Sequence, residues 1–157
     1  MRRLTLLTVA LAFAAPAFAQ LPNPYGASIT LDQAKKIATL SVTEAAKNNW
    51  KMAIAIVDVA GDLVYFEKMD GTQVASVSIA QDKARSAVRF KRPTKAMQDV
   101  LAQGGAGVRF LALQGAIPVE GGLPIVMDGK IVGAIGASGG TSDQDGLTAK
   151  AGADSVK

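Results

Sequence analysis

The amino-acid sequence predicts an α+β fold in which helices cover an antiparallel sheet. Two pairs of short apolar segments, rich in β-branched residues, are each joined by a tight turn, and such hairpins favour antiparallel pairing. Segments with helical periodicity precede, separate and follow these hairpins, and their apolar stripes are suited to cover a sheet. The 157 residues include no cysteine and no histidine. Without disulfides, packing has to stabilise the fold. The absence of histidine excludes histidine-based catalysis and metal sites with histidine ligands.

The first 19 residues have the pattern of a secretory signal peptide. Arg2 and Arg3 form a basic start, residues 4–15 form an apolar run, and residues 17–19 match the small-x-small cleavage pattern. The run is short for a membrane span, and no later segment approaches one. We therefore expect cleavage after Ala19, a periplasmic or secreted location and no membrane span in the mature chain. The alternative is an uncleaved anchor.

Residues 20–28 are predicted to form an extended arm, and residues 29–157 a single domain. Thr30 and Gln33 have the spacing of a capping box, which predicts a helix that starts there and ends at residues 48–49, both asparagine. Residues 52–57 and 63–67 flank a turn and predict the first hairpin.

Helical periodicity over residues 74–90 predicts a second helix, which Pro93 stops. Thr94 is the expected N-cap of a short third helix, whereas residues 108–113 fit a strand or a helix. Asp128-Gly129 lies between two apolar segments and predicts a hairpin with a type I′ turn. The last helix is expected to begin at residue 141 or 142.

Basic residues cluster in the second predicted helix and just after it. The formal net charge of +4 falls to +2 without the two arginines of the signal peptide, which is too small to indicate nucleic acid. Guanidinium groups suit carboxylates, so Lys83, Arg85, Arg89 and Arg92 are candidate carboxylate-binding residues. The alternative is a solvated helix face on which Asp82 pairs with Arg85.

Two glycine-rich segments are candidate sites of close backbone approach. Residues 138–141, Ser-Gly-Gly-Thr, lie where N–H groups at a helix N-terminus can bind an anion. The alternative is a tight turn with a Thr or Ser cap, which Asp143 in the first turn favours. The predicted ligand-binding set is completed by Thr94, Gly121, Gly122, Gly139, Gly140 and Thr141.

Nine short segments of the predicted domain occur in a characteristic order. They are LDQA at 31–34, AIVD at 55–58, GDL at 61–63, MDG at 69–71, DKAR at 82–85, FKRPT at 90–94, GGLP at 121–124, GAIGASGGT at 133–141 and QD at 144–145. Their order and spacing resemble the GlcG/HbpS family of haem-degrading or PduO-C-like domains. The resemblance covers the chain from residue 29 to its end.

The resemblance implies a profilin-like α/β/α sandwich around a five-stranded antiparallel sheet, and assembly into dimers or larger homo-oligomers. Members of the family with known behaviour bind haem, some are linked to haem degradation or iron, and extracellular members can act with sensor systems; many other members have no assigned activity. It therefore implies haem as a ligand and a sensor protein as a candidate partner. Because some relatives hold haem iron with histidine, haem in this chain needs another ligand or no strong protein ligand. The candidate iron ligands, each also a common packing residue, are Tyr25, Tyr65, Met69, Met97 and Met127.

Three functions stay open on the sequence. The leading hypothesis is an exported homo-oligomeric protein that binds haem or another small molecule with carboxylates, near the second helix and the glycine-rich corners. The second is an enzyme that acts on a small organic acid or degrades a tetrapyrrole, with Lys83 as the first candidate acid–base group. The third is a structural or signalling oligomer without a ligand. No metal site is predicted, because Asp143 and Asp145 diverge on a helix.

The signal-peptide prediction is tested by the mass of the exported chain. Expression of the full sequence in a bacterial host is expected to yield a periplasmic protein that begins at Gln20, because the cleavage pattern ends at Ala19. Intact-mass spectrometry of the periplasmic fraction measures this. Replacement of the small residue, as in Ala19→Asp, should block processing. Full-length mass for the unsubstituted chain would contradict cleavage.

Overall fold

A computed structural model describes residues 22–156, so the expected signal peptide at 1–19 and the first residues of the arm lie outside the described residues. The helices are α1 (Leu31–Lys47), α2 (Ser76–Arg89), α3 (Thr94–Ala102) and α4 (Ser142–Ala153), with 3₁₀ segments at Gly105–Ala112 and Asp154–Val156. The strands are β1 (Ala53–Val57), β2 (Leu63–Lys68), β3 (Gly122–Met127) and β4 (Lys130–Ser138). None of these helices is long and apolar enough to cross a membrane.

The sheet has four strands in the order β2-β1-β4-β3, and every neighbouring pair is antiparallel. The α+β class with an antiparallel sheet is therefore confirmed, but the expectation of five strands was wrong. Of residues 108–113, which fitted a strand or a helix, 108–112 lie in a 3₁₀ segment and Leu113 is its C-cap. The arm makes one parallel bridge, between Tyr25 and Ile131. Its two prolines have no N–H to donate, which keeps it from extending the ladder.

Helices lie on both faces of the sheet. In β1, Ile54 and Ile56 pack with α1 and α4, whereas Ala53, Ala55 and Val57 pack with α2, as the period of two in a strand requires. Small residues on the α2 side let this helix approach closely. A Cβ on Gly136 would lie 1.9 Å from the carbonyl oxygen of Ala80 in α2.

Local signals in the sequence set most element boundaries. Thr30 and Gln33 form the predicted capping box of α1, and Thr141 and Gln144 form a second one at α4. Asp128 and Gly129 both have positive φ, as a type I′ turn requires. The prediction for Thr94 was wrong: Pro93 is the N-cap of α3 and makes no side-chain cap bond. The Thr94 hydroxyl instead accepts from the Gly122 N–H at 2.9 Å.

The contact between Gly136 and α2 is tested by Gly136→Ala. We expect this variant to lose about 3 kcal/mol or more of unfolding free energy, because the added methyl forces backbone against backbone. Urea denaturation measures the loss. Gly26→Ala is the matched control, since its Cβ meets the side chain of the exposed residue Lys130 at 3.0 Å and no backbone atom is among its nearest neighbours, and it should cost far less. Equal losses of unfolding free energy in the two variants would show that the close approach of α2 to Gly136 does not determine the cost of the substitution.

Candidate functional site

A buried ion pair joins the two helical layers. Lys83 on α2 donates to the Asp145 carboxylate of α4 at 2.7 Å and to the Ala137 carbonyl at 3.3 Å. The Lys83 side chain is 1% exposed, so its charge depends on these partners. The residue singled out as a candidate acid–base group is therefore enclosed by protein atoms.

Asp145 is held from two sides. One carboxylate oxygen binds Lys83, and the other accepts from the Gly140 N–H at 3.0 Å. Burial raises the pKa of Asp145 above its ordinary value, while the bonds to Lys83 and Gly140 act to lower it. Among residues 22–156, no group of three acidic side chains is placed to hold a metal ion.

Glycines at the start of β3 make room for this pair. A Cβ on Gly121 would lie 2.8 Å from the Lys83 ammonium nitrogen, and the φ of Gly121 is +126°. A Cβ on Gly122 would lie 2.4 Å from the Lys83 carbonyl oxygen and 2.7 Å from the Thr94 side chain. The structure thus brings together Lys83, Thr94, Gly121 and Gly122, all of which the sequence analysis selected.

The corner at residues 138–141 also joins this cluster, but its N–H groups are occupied. The Gly140 N–H donates to Asp145, and the Thr141 N–H donates to the Gln144 side chain at 3.0 Å. The corner is thus a capped turn in which protein side chains take up the anion-binding capacity of the helix start. Its role in binding an external ligand stays a prediction.

The three predicted arginines lie apart from the glycine cluster. Arg85 donates to the Gly61 carbonyl at 3.3 Å and lies 3.4 Å from Asp82. The Arg89 guanidinium packs by Gly61, where a Cβ would lie 3.3 Å from its Nε. Arg92 is exposed and donates to the Phe90 carbonyl. Arg85 and Arg89 therefore border the β1–β2 turn, and carboxylate binding there stays a prediction.

A cavity lies along β3, which is an edge strand of the sheet. We call this cavity the β3 groove; its volume is about 440 Å³, within the range of small-molecule sites. Its wall is apolar and its rim carries two lysines. The lining residues are Pro22, Asn23, Lys91, Pro93, Leu123, Pro124, Val126, Ile131, Lys150, Ala153 and Asp154.

A second cavity of about 250 Å³ continues the groove towards the buried ion pair. The two cavities share Pro93, Leu123 and Lys150, and Gly121 and Gly122 line the second one. Glu120 also lines it, and burial raises the pKa of this carboxyl, with Lys95 acting to lower it. Since Gly121 and Gly122 adjoin Lys83, the ion pair lies directly behind the wall of this second cavity.

Three of the candidate iron ligands of the sequence analysis, Met97, Tyr65 and Met127, lie away from the groove. Met97 is fully buried, the Tyr65 hydroxyl donates to Glu67, and Met127 lines a separate cavity near the start of α1. Among the described residues, no methionine or tyrosine lines the β3 groove.

Sequence reasoning missed the groove because its lining comes from distant segments. Residues 22–23, 91–93, 123–131 and 150–154 meet there, and no local pattern joins them. Lys91 fell within the basic cluster, which was one available signal. Pro124, which lies in β3, is a second signal, since proline in a sheet is confined to edge strands.

The fold and groove define a small α/β/α-sandwich domain with a ligand-sized cleft along an edge strand. The chain matches the family described as haem degrading protein HbpS-like over residues 29–154, and it belongs to that family. This result confirms the resemblance noted from the sequence motifs.

The comparisons with individual proteins agree. Protein GlcG of Escherichia coli is 37% identical over 110 residues, which are 70% of this chain and 81% of that protein. A double mutant of HbpS from Streptomyces reticuli has a TM-score of 0.76 at 27% identity, with 97% of this chain and 99% of that chain covered. A PduOC:haem complex has a TM-score of 0.75 at 24% identity, covering 83% and 96%; this last likeness concerns the fold.

The buried pair is tested by Lys83→Met, which leaves the Asp145 carboxylate without its cation. We expect a loss of about 3–5 kcal/mol in unfolding free energy at neutral pH. Without the cation the pKa of Asp145 rises further, so folded Asp145 binds a proton more readily than unfolded Asp145. The variant therefore gains stability as pH falls through that pKa. The difference in unfolding free energy between the variant and the unsubstituted chain should then become smaller.

Urea denaturation at neutral and mildly acidic pH measures this change. Lys95→Met is the control, because Lys95 pairs with Asp99 on the surface, and it should show a much smaller loss. A Lys83→Met deficit that stays constant or grows on acidification would contradict a charged pair.

Proposed function

We propose that the chain is an exported, homo-oligomeric protein that binds haem or another apolar ligand with carboxylates in the β3 groove. The observation that carries this proposal is the composition of the groove, in which an apolar wall adjoins the rim lysines Lys91 and Lys150, of which Lys150 is paired with Asp154. A planar apolar ring system suits such a wall, and its carboxylates suit the ammonium groups. Membership of a family described by haem degradation and the fold shared with a haem complex support this choice.

The proposed mode of binding does not depend on iron ligation. Since the chain has no histidine and no methionine or tyrosine among the described residues lines the groove, apolar contact and ion pairing supply the affinity. Iron-free protoporphyrin IX should therefore bind about as tightly as haemin.

Export and self-association are parts of the same proposal. Export rests on the signal-peptide pattern of residues 1–19. Self-association is supported by exposed apolar side chains around the 3₁₀ segment, such as Leu111, which is 67% exposed, and Val108. Such side chains in one region are typical of an interaction surface, which a second copy or a sensor protein would cover.

The binding proposal is tested by titrating the purified mature chain with haemin and with protoporphyrin IX. We expect a saturable shift of the Soret band. Val126→Glu places a carboxylate on the apolar wall, where it repels ligand carboxylates and loses apolar contact, so affinity should fall about tenfold or more.

Val74→Glu is the matched control. Val74 is 87% exposed and lies outside the groove, so this variant should bind as the unsubstituted chain does. Thermal melting of both variants separates lost binding from lost folding. Absence of saturable binding by the unsubstituted chain, or equal binding by the folded Val126→Glu variant, would overturn the proposal.

A further inference from the structure

Lys91 has a backbone conformation that favours glycine. Its φ is +52°, and it follows the C-cap residue Phe90 of α2. The Lys91 N–H donates to Val88 and the Arg92 N–H donates to Ala87, each at 3.2 Å, which is the bonding pattern of a Schellman motif. A side chain with a Cβ is strained in this conformation. The chain therefore has a lysine at a position where glycine would fit better.

The Lys91 side chain is fixed by Tyr25. Its ammonium lies 4.1 Å from the centroid of the Tyr25 ring, within range of a cation–π interaction. The Tyr25 hydroxyl donates to the Val88 carbonyl at 2.8 Å, so the ring is tied to the same turn of α2. The arm and the helix end together determine where this ammonium lies.

Lys91 differs in its ion pairing from Lys150, which also lines the groove, and from Lys95, which lines the second cavity. Lys150 pairs with Asp154, and Lys95 lies near Asp99 and Glu120. Within residues 22–156, Lys91 forms no ion pair with a carboxylate. An aromatic face holds a cation in place but leaves its positive charge uncompensated, so this ammonium is available to a carboxylate brought by a ligand.

We propose that Lys91 is the residue by which the β3 groove selects ligands with a carboxylate, and that Tyr25 is its positioning residue. The inference rests on the proposed function, since it assigns a specificity to the same groove. Strained backbone conformations occur at functional sites, and a side chain fixed before binding loses less entropy when it binds. The strained backbone of Lys91, its contact with the Tyr25 ring and its position on the rim are all consistent with binding of a ligand carboxylate.

A purely structural role makes a different prediction. If Lys91 only ended α2, substitutions would change stability and leave ligand preference unchanged. Lys91→Gly relieves the strain and removes the charge, Lys91→Met keeps the strain and removes the charge, and Lys91→Arg keeps both.

The experiment compares haemin with its dimethyl ester, in which both carboxylates are neutral. For the unsubstituted chain we expect about tenfold tighter binding of haemin, as one ion pair of moderate strength gives. Lys91→Met and Lys91→Gly should bring this ratio close to one, whereas Lys91→Arg should largely keep it.

Stability should follow another order. Lys91→Gly is expected to melt at or above the temperature of the unsubstituted chain and a few degrees above Lys91→Met. Asn49→Gly is the matched control, because Asn49 has a φ of +58° and ends α1 with the same bonding pattern. It lies outside the groove and should leave the ligand ratio unchanged.

Tyr25 is tested by a pair of variants. Tyr25→Phe keeps the ring under the ammonium and should keep most of the haemin preference. Tyr25→Leu removes the aromatic face and should lower the preference severalfold, while Lys91 itself is still present.

The outcomes separate the two proposals. If the unsubstituted chain binds haemin but binds the ester equally well, or if folded Lys91→Met keeps the full preference, Lys91 does not select carboxylates and groove binding still stands. If the unsubstituted chain binds neither compound, the proposed function fails and the specificity assigned to Lys91 fails with it.

Discussion

The ion pair between Lys83 and Asp145 is the constraint on which the rest of the structure depends. It links α2 and α4, which belong to different helical layers, and it lies where β3 begins and β4 ends. Two charges removed from water require close partners, so the surrounding backbone has to approach them. Gly121 and the Gly140 N–H meet that requirement directly. The buried ion pair therefore requires these glycine-rich corners by itself, independently of any ligand.

The β3 groove is formed by segments that this core holds in place. β3 is an edge strand with one free side, and the arm, the end of α2 and the end of α4 enclose that side. The enclosure leaves an apolar wall with ammonium groups at the rim. A ligand of that chemistry would gain contact area from the wall and orientation from the rim. The mode of binding proposed for this groove therefore needs no histidine.

Local features of the fold could be predicted from the sequence, whereas features that depend on distant contacts could not. Thr30 with Gln33, and Asp128 with Gly129, carry their geometry in adjacent residues, and both were correctly assigned. Thr94 was assigned wrongly because Gly122, 28 positions away, takes its hydroxyl. The five-strand expectation came from resemblance, and the proline-containing arm did not supply the extra strand.

The candidate site shows the same division. Lys83 was singled out by its place in a recognisable motif, but its partner lies 62 positions along the chain, so neither the pairing nor the burial could be seen. Lys91 was within the basic cluster, yet its orientation follows from a positive φ and from Tyr25. Arg85 and Arg89, which had the stronger chemical argument, pack against the β1–β2 turn.

The two ends of the described chain approach the same groove. Pro22 and Asn23 form one part of its lining, and Ala153 and Asp154 form another. An affinity tag joined directly to either of these segments would start beside the cleft and reduce the access of small molecules to it. The turn between β1 and β2, by contrast, contributes no residue to this lining, and an epitope inserted there would leave the cleft unobstructed.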